Sequence, residues 1–336
     1  MRKAKDISIE EIAKLANVST ATVSRVINNK SNVSSKTREK VMAFIIEKNY
    51  ELNDRQKKMT DQVKSSKTIV VLVPDLSNPF NASVIDGIKK AAKANHFLIC
   101  VVLAKEEHVH FDYYEELLQD IHVAGIIALS AFPSLAIALQ VKQKWPLVMC
   151  SEHWGSSDIS HVGIDDVKAA KQATQFLLTA GRKNIALING TRNRKYARDR
   201  ETGYMAALNE ASILVNEDII LHLPLINYRM ALSHLIFLFN NKPEIDAVFA
   251  CSDIFAAAAI EACKQIGKSV PKDVAIIGFD NIDLALMTSP TLTTIEQPAF
   301  EIGYHSCDIL IESINKPTLE PKNVTLFTDF IIREST

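Results

Sequence analysis

Glycine is scarce in this chain, ten residues in 336. No G-x-G-x-x-G follows a strand-like run and no P-loop occurs, so the glycine-rich turns that cradle nucleotide phosphates are missing. This argues against the main rival class, a doubly wound α/β enzyme. Cysteine is sparser still: Cys100, Cys150, Cys251, Cys263 and Cys307 stand apart, mostly among apolar neighbours, with no C-x-x-C spacing. They read as reduced, buried small hydrophobes. No apolar run reaches the roughly 18 residues of a membrane span. The N-terminus is charged and has no apolar h-region, so no secretory signal is expected and the expected compartment is the cytoplasm. His108-Val109-His110 has the spacing of two metal ligands on a strand but no third ligand near it, and reads as a surface loop. Glu152-His153 beside Cys150 comes with no oriented base or oxyanion hole, so no catalytic residue, metal or cofactor is assigned.

What is present is length and a lopsided charge. A chain of this size exceeds one comfortable core, and 47% hydrophobic residues suit two or three packed domains. Residues 1–66 hold 14 Lys/Arg against 8 Asp/Glu, a net of +6, which leaves −7 on the remainder. A basic N-terminal module on an acidic body is the charge distribution of a polyanion-binding headpiece.

Within that module Ile9, Ile12, Ala13 and Ala16 recur at helical spacing, and a break at Asn17-Val18 follows. Ser19 is a natural N-cap for a second helix in which Val23, Val26 and Ile27 face inward, while Thr20, Ala21, Thr22, Ser24, Arg25 and Asn28 stay outside. Two short helices on a tight turn, the second presenting small polar groups and one cation, form a helix-turn-helix that lays its second helix in the DNA major groove. A third helix is expected from about Ser35 to Lys48, with Val41, Phe44 and Ile45 as its apolar stripe. Residues 51–66 then have linker composition.

From Lys67 strands alternate with helices. The β-branched run Thr68–Val73 reads as a central parallel strand. Strands follow at Phe97–Leu103, Gly125–Leu129, Pro146–Cys150, Asn184–Leu187, Ile219–Leu223, Ala247–Ala250 and Asp273–Phe279, with helices between them, among them Asn81–Asn95, Val167–Thr179, Arg200–Ala211 and Ile254–Ile266. Two such series imply two α/β lobes, with ligand sites beyond the C-terminal ends of the strands.

Ser8-Ile9-Glu10-Glu11-Ile12-Ala13, the Val-Ser-x-x-Thr-Val-Ser-Arg-Val core, Asn28, Val33–Val41 and Asn49-Tyr50 resemble the headpiece of the LacI/GalR transcription regulators. Gly278-Phe279-Asp280-Asn281, Leu292–Ile295, Gln297-Pro298 and Ile331-Ile332-Arg333 extend the resemblance over the whole length, and its flavour is most similar to the cytidine-responsive repressor type. The resemblance implies an all-α helix-turn-helix headpiece (1–50), a hinge (51–66) and a periplasmic-binding-protein-like body (67–336) whose chain crosses between lobes three times. Lobe 1 would comprise about 67–166 and 299–326, lobe 2 about 167–296 and 327–336. It implies a DNA-binding repressor, or an activator or corepressor-dependent regulator of the same fold, whose operator affinity responds to a nucleoside or sugar bound between the lobes. A transport binding protein would account for the body but not the headpiece. The chain ends soon after Arg333 without a heptad helix, so a homodimer on a pseudo-palindromic operator is expected, with no membrane partner.

Carried over by position, Thr20 and Ala21 select the operator, and Arg25 grips a guanine or clamps a phosphate. Ser19, Thr22, Ser24, Asn28, Ser34 and Thr37 hold phosphates, with helix capping as the alternative for Ser19 and Ser34. Met59 stands where the family inserts a minor-groove wedge. The hinge lacks the family's proline, having Leu52 in its place, and has Gln56 where Ala is usual. A looser hinge would favour help from a second DNA-bound regulator. In the body, Asp280 accepts hydroxyls of the effector and Arg200 donates, or the two pair across the lobes. Phe80 stacks on the ligand, with Asn81 in place of a second aromatic residue. Ser151, Glu152 and Arg194 line the pocket, Arg194 being alternatively a solvated cation. Asp253 is a second-lobe contact or a helix cap.

Overall fold

The computed structural model describes residues 9–27, 33–47, 68–104, 110–119, 121–129, 132–154, 158–316 and 320–336. The chain divides into two compact units, residues 1–66 and 67–336.

In the first unit, helices α1 (Ile9–Ala16), α2 (Thr20–Ile27) and α3 (Ser35–Glu47) close over Ile12, Ala13, Ala16, Val23, Val26 and Val41, all buried. Asn17 turns the chain between α1 and α2 at φ +53°, and the Val18 amide reaches back to the Ala13 carbonyl at 2.9 Å. Asparagine tolerates this left-handed C-terminal cap better than most residues with a Cβ. Ser19 and Ser34 start α2 and α3 alike. Each hydroxyl accepts the amide three residues on, Thr22 at 3.1 Å and Thr37 at 3.3 Å, and lies 2.8 Å from that threonine's own hydroxyl.

The second unit contains two six-stranded sheets. The first has the order β2-β1-β3-β4-β5-β11, from β1 (Thr68–Val73), β2 (Leu98–Leu103), β3 (Val123–Ala128), β4 (Leu147–Cys150), β5 (Ser160–Ile164) and β11 (Asn323–Leu326), all parallel. The second has the order β7-β6-β8-β9-β10-β12, from β6 (Ile185–Asn189), β7 (Ile220–His222), β8 (Ala247–Ala250), β9 (Ala275–Asp280), β10 (Thr293–Glu296) and β12 (Asp329–Ile331), of which only β12 runs antiparallel. The chain therefore passes between the sheets three times, after β5, after β10 and after β11, as the resemblance implies. Residues 69–73 of β1 are buried on both faces, which is what a β-branched central strand between two helical layers requires.

Helices α4 (Pro79–Ala94), α5 (Phe111–Leu118) and α6 (Leu135–Lys144) connect strands of the first sheet. Helices α7 (Asp166–Thr179), α8 (Lys195–Glu210), α9 (Tyr228–Asn241), α10 (Asp253–Gln265) and the short α11 (Leu284–Met287) belong to the second, and α12 (Ala299–Asn315) returns to the first. One apolar cluster runs through both lobes, from Ile69, Val71 and Val73 on the first sheet to Ile277, Phe279 and Ile295 on the second. Two further clusters fill the outer faces. Strand β5 was not anticipated, because Ser160-His161-Val162-Gly163-Ile164 lacks a β-branched run. Its Ser160 hydroxyl accepts the Lys322 amide at 3.0 Å and its His161 ring stacks on His153 at 3.7 Å. Helix α8 begins at Lys195 rather than at the expected Arg200, which puts Arg200 on its second turn.

Within each lobe a helix pair meets at glycine. A Cβ on Gly303 of α12 would lie 2.0 Å from the Val84 carbonyl oxygen of α4, and one on Gly203 of α8 would lie 2.2 Å from that of Val167 on α7. Both contacts are with backbone, which cannot rotate away. Gly303→Ala is therefore expected to cost about 1–3 kcal/mol or more through overpacking. The check is a urea titration, where the midpoint falls with the slope unchanged.

Candidate functional site

On α2, Thr20, Ala21, Ser24 and Arg25 are exposed while Val23 and Val26 are buried, so the outward residues form one continuous face. Thr22 is half-buried behind them. Ser19 and Ser34 act as helix caps, and Thr37 joins the second cap. Asn28 and Met59, with the departures at Leu52 and Gln56, lie outside the described residues, as do His108 and Val109.

In the body, a cavity of about 130 Å³ opens at the C-terminal ends of β1, β3, β4 and β5 on one side and of β6 to β10 on the other. This is where parallel α/β sheets place their ligands. The first lobe contributes Phe80, Asn81, Leu129, Ser151 and Glu152, and the second Arg194, Tyr196, Arg200, Cys251, Asp280 and Gln297. The cavity continues into a wider mouth of about 840 Å³ that shares Phe80, Ile226, Asp280 and Gln297.

Asp280 ends β9 with φ +109°, and Ser151 follows β4 with φ +68°. Non-glycine residues held in such backbone conformations cluster where surrounding structure fixes them for a task. Gln297 Nε2 donates to Asp280 Oδ1 at 2.7 Å. Burial pushes the Asp280 carboxyl up to about 7, against the pull of Arg200 and Gln297, with Asp166 adding to the rise. The Ser151 hydroxyl is buried and finds no partner among the described residues, so it has hydrogen-bonding capacity for a ligand.

Arg200 is not paired with Asp280, and both lie in the second lobe. Its Nε donates to Asp166 Oδ1 at 2.9 Å, its Nη1 to the Cys251 carbonyl at 2.5 Å, and its guanidinium lies 3.5 Å over the Phe279 ring. The side chain is a buried strut with one edge on the cavity. Asp253 requires a correction. It does not line the cleft: Oδ1 accepts the Thr294 hydroxyl at 2.6 Å and Oδ2 the Ile282 amide at 2.8 Å, while Ser252 caps the helix. Its work is to hold the loop that follows Asp280. Asn81 lines the cavity, and its amide group donates to the Asp75 carbonyl at 3.1 Å. Cys150 is buried with its thiol pushed up to about 12, which removes a thiolate nucleophile beside His153.

Gln297 and Asp166 were missed as site residues. Gln297 was visible as part of a family signature next to β10. Asp166 was hidden because β5, which delivers the chain to it, was not recognised.

A helix-turn-helix unit and a two-lobed binding body on one polypeptide define a DNA-binding regulator. The comparisons with known proteins say which. Residues 8–53 match the model of bacterial regulatory proteins of the lacI family, and residues 66–334 that of periplasmic binding proteins and the sugar binding domain of the LacI family. The chain belongs to the LacI family of transcriptional regulators. It is 32% identical over 332 residues to the ribose operon repressor of Halalkalibacterium halodurans, covering 98% of this chain and 97% of that one. It is 31% identical to the transcriptional repressor CytR of Escherichia coli K12, covering 98% and 96%. Among solved structures, a CelR–cellobiose complex superposes with a TM-score of 0.74 at 29% identity, covering 98% of this chain and all of that one. A ribose-bound LacI family regulator from Enterococcus faecium superposes with a TM-score of 0.71 at 30% identity, covering 80% and 98%. Among the described residues no helix is long and apolar enough to cross a membrane.

A hydroxyl is accepted more strongly by the ionised Asp280 carboxylate than by the neutral acid, so binding that favours the ionised form expels a proton below about pH 7. Affinity for a polyol ligand is expected to fall by up to roughly tenfold per pH unit below 7 and to level off above it. Asp280→Asn should flatten that slope, with calorimetry across buffers of different ionisation enthalpy as the measurement. Folding stability responds with the opposite sign. The native pKa lies above the unfolded value, so the native state binds more protons between the two, and Asp280's contribution declines as pH rises through that window.

Proposed function

We propose that this chain is a homodimeric repressor acting in the cytoplasm, and that it holds a neutral monosaccharide, most simply a pentose, in the cleft between its lobes. The observation that carries this reading is the small cavity with Asp280 at its wall. At about 130 Å³ it is well under half the size of a small ordinary ligand pocket, since those begin near roughly 300 Å³. The buried Asp280 suits hydroxyl donors, Ser151 adds an unsatisfied hydroxyl, and Phe80 with Leu129, Tyr196 and Ile226 supplies apolar surface. The ribose-bound relative and the ribose operon repressors support the same ligand class. A nucleoside is the second reading, favoured by Phe80 lining both the cavity and the mouth, which would leave room outside for a base. The chain performs no chemistry on this ligand. It is a regulator, and its relatives are named as regulators and repressors.

On DNA, Thr20 and Ala21 would meet base edges and Arg25 a guanine, two headpieces of a two-fold dimer reading successive half-sites of a pseudo-palindrome. A ligand that binds one lobe angle better than another shifts that equilibrium, and only such a preference can. The first lobe carries the chain that leads to the headpiece, so the lobe angle is the quantity passed on to the DNA.

Thermal-shift screening of pentoses, hexoses and nucleosides tests the ligand, because a true effector at about 100 times its Kd adds roughly 2.7 kcal/mol of stability. Stabilisation by no sugar and no nucleoside overturns the reading. Arg25→Ala is expected to weaken operator binding by about 1–3 kcal/mol while sparing random duplex. Equal loss on both makes Arg25 a phosphate contact. Asp280→Ala should abolish the effector response with operator binding intact. Arg200→Ala is a poor probe, since it leaves buried Asp166 with the more distant Lys195 ammonium, 3.8 Å away, in place of its hydrogen-bonded partner, at a cost of up to about 3–5 kcal/mol.

A further inference from the structure

Four helices that begin at or beside the cleft carry their own N-caps: Asn78 for α4, Asp165 for α7, Asn227 for α9 and Ser252 for α10 each accept an amide of the helix they precede. Helix α8 does not, because its N-cap residue is Arg194, which makes no side-chain cap bond. The acceptor comes from the other lobe. Glu152, in the loop after β4, takes the Lys195 amide at 3.0 Å on Oε2 and the Tyr196 amide at 3.3 Å on Oε1. The first turn of a helix leaves amides that must be satisfied, and a carboxylate there is further favoured by the helix dipole. Glu152 is only 6% exposed, so separating the lobes would strip two amides of their acceptor and uncover a carboxylate in one movement.

We infer that Glu152 is a positioning residue that latches the first lobe onto α8, making the presentation of that helix's cavity residues depend on lobe closure. This rests on the reading of the cleft as the effector site. Glu152, Arg194, Tyr196 and Arg200 all border the cavity, so a ligand seated there touches both ends of the latch. The latch tells the second lobe whether the first is in place, and it does so at the helix that carries Arg200.

The test is hydrogen exchange on the full chain, wild type against Glu152→Ala and Glu152→Gln. The Lys195 and Tyr196 amides are expected to exchange at least tenfold faster in Glu152→Ala, with protection from Thr202 to Glu210 unchanged. Glu152→Gln retains one acceptor oxygen and should fall between, and it carries the comparison alone if the alanine variant does not fold. The functional readout, taken at saturating ribose, is the factor by which ribose changes operator affinity, expected to shrink at least fivefold in Glu152→Ala. Unchanged exchange at both amides overturns the latch, as does equal loss of protection along all of α8, which would make Glu152 merely structural. A ribose that fails to bind the wild type refutes the ligand reading instead, and the exchange comparison still decides the latch.

Discussion

The cleft depends on one buried cation. Arg200 is removed from water, and an interior charge persists only where partners replace the solvent it has lost. Here three elements do so: Asp166 from the start of α7, the Cys251 carbonyl after β8, and the Phe279 ring beneath the guanidinium plane. The residues that satisfy Arg200 therefore fix where α7, α8, β8 and β9 end relative to one another. Asp166 is also where the chain first enters the second lobe. The same interaction thus sets the cavity wall and anchors a crossing, and Arg200 remains close enough to restrain the rise of the Asp280 carboxyl.

Asp280 sits in a left-handed conformation that an aspartate adopts at a cost, and the structure over-determines it from behind. Asp253 accepts the Ile282 amide two residues on, and Arg333 donates to Asn281 Oδ1 at 2.8 Å and to the Leu292 carbonyl at 2.7 Å. Ser335, fully buried, donates to the Ile276 carbonyl at 2.6 Å and accepts the Thr293 amide at 2.8 Å, tying the last residues of the chain to β9 and β10. Networks of this kind stabilise and specify when every member is satisfied, and are costly when one is removed. Burial raises the Asp253 carboxyl well above its ordinary value, Asp280 adds to that rise, and the bonds from Thr294 and Ile282 oppose it. Asp253 thus belongs to the effector site by support rather than by contact.

How much of this could be read from sequence follows the range of the interactions. The headpiece was legible because its determinants are local: helical spacing of Ile12, Ala13 and Ala16, a turn at Asn17, and serine caps that act three residues away. Strand β1 was legible because a strand buried on both faces must be apolar throughout. Strand β5 was not, because its fitness as a strand comes from partners elsewhere, Lys322 for Ser160 and His153 for His161. The position of Asp280 beyond a strand could be inferred, but the partner of Arg200 could not. Asp166 is 34 residues away, and nothing local distinguishes it from a helix-capping acid. The polar identity of Asp253 was evident, while whether it faces ligand or protein depended on Thr294, 41 residues further on.

The interactions that build the site and those that could make it a switch are of different kinds. Arg200, Asp166, Asp253 and Arg333 pair within the second lobe, and a change of lobe angle leaves them intact. A rigid second lobe by itself gives affinity without response, since a ligand that binds both states equally shifts neither. Response requires contacts that exist at one angle only, and on the function proposed above these would come from first-lobe residues, Phe80 and Ser151 against the ligand and Glu152 against α8. The second lobe therefore supplies most of the fixed chemistry of the cleft, and the first lobe supplies the dependence on closure. Because coupling is reciprocal, whatever free energy the operator contributes toward one lobe angle must return as a change in effector affinity of the same size. Pairs made within one lobe cannot carry that change, which must lie in contacts made between the lobes.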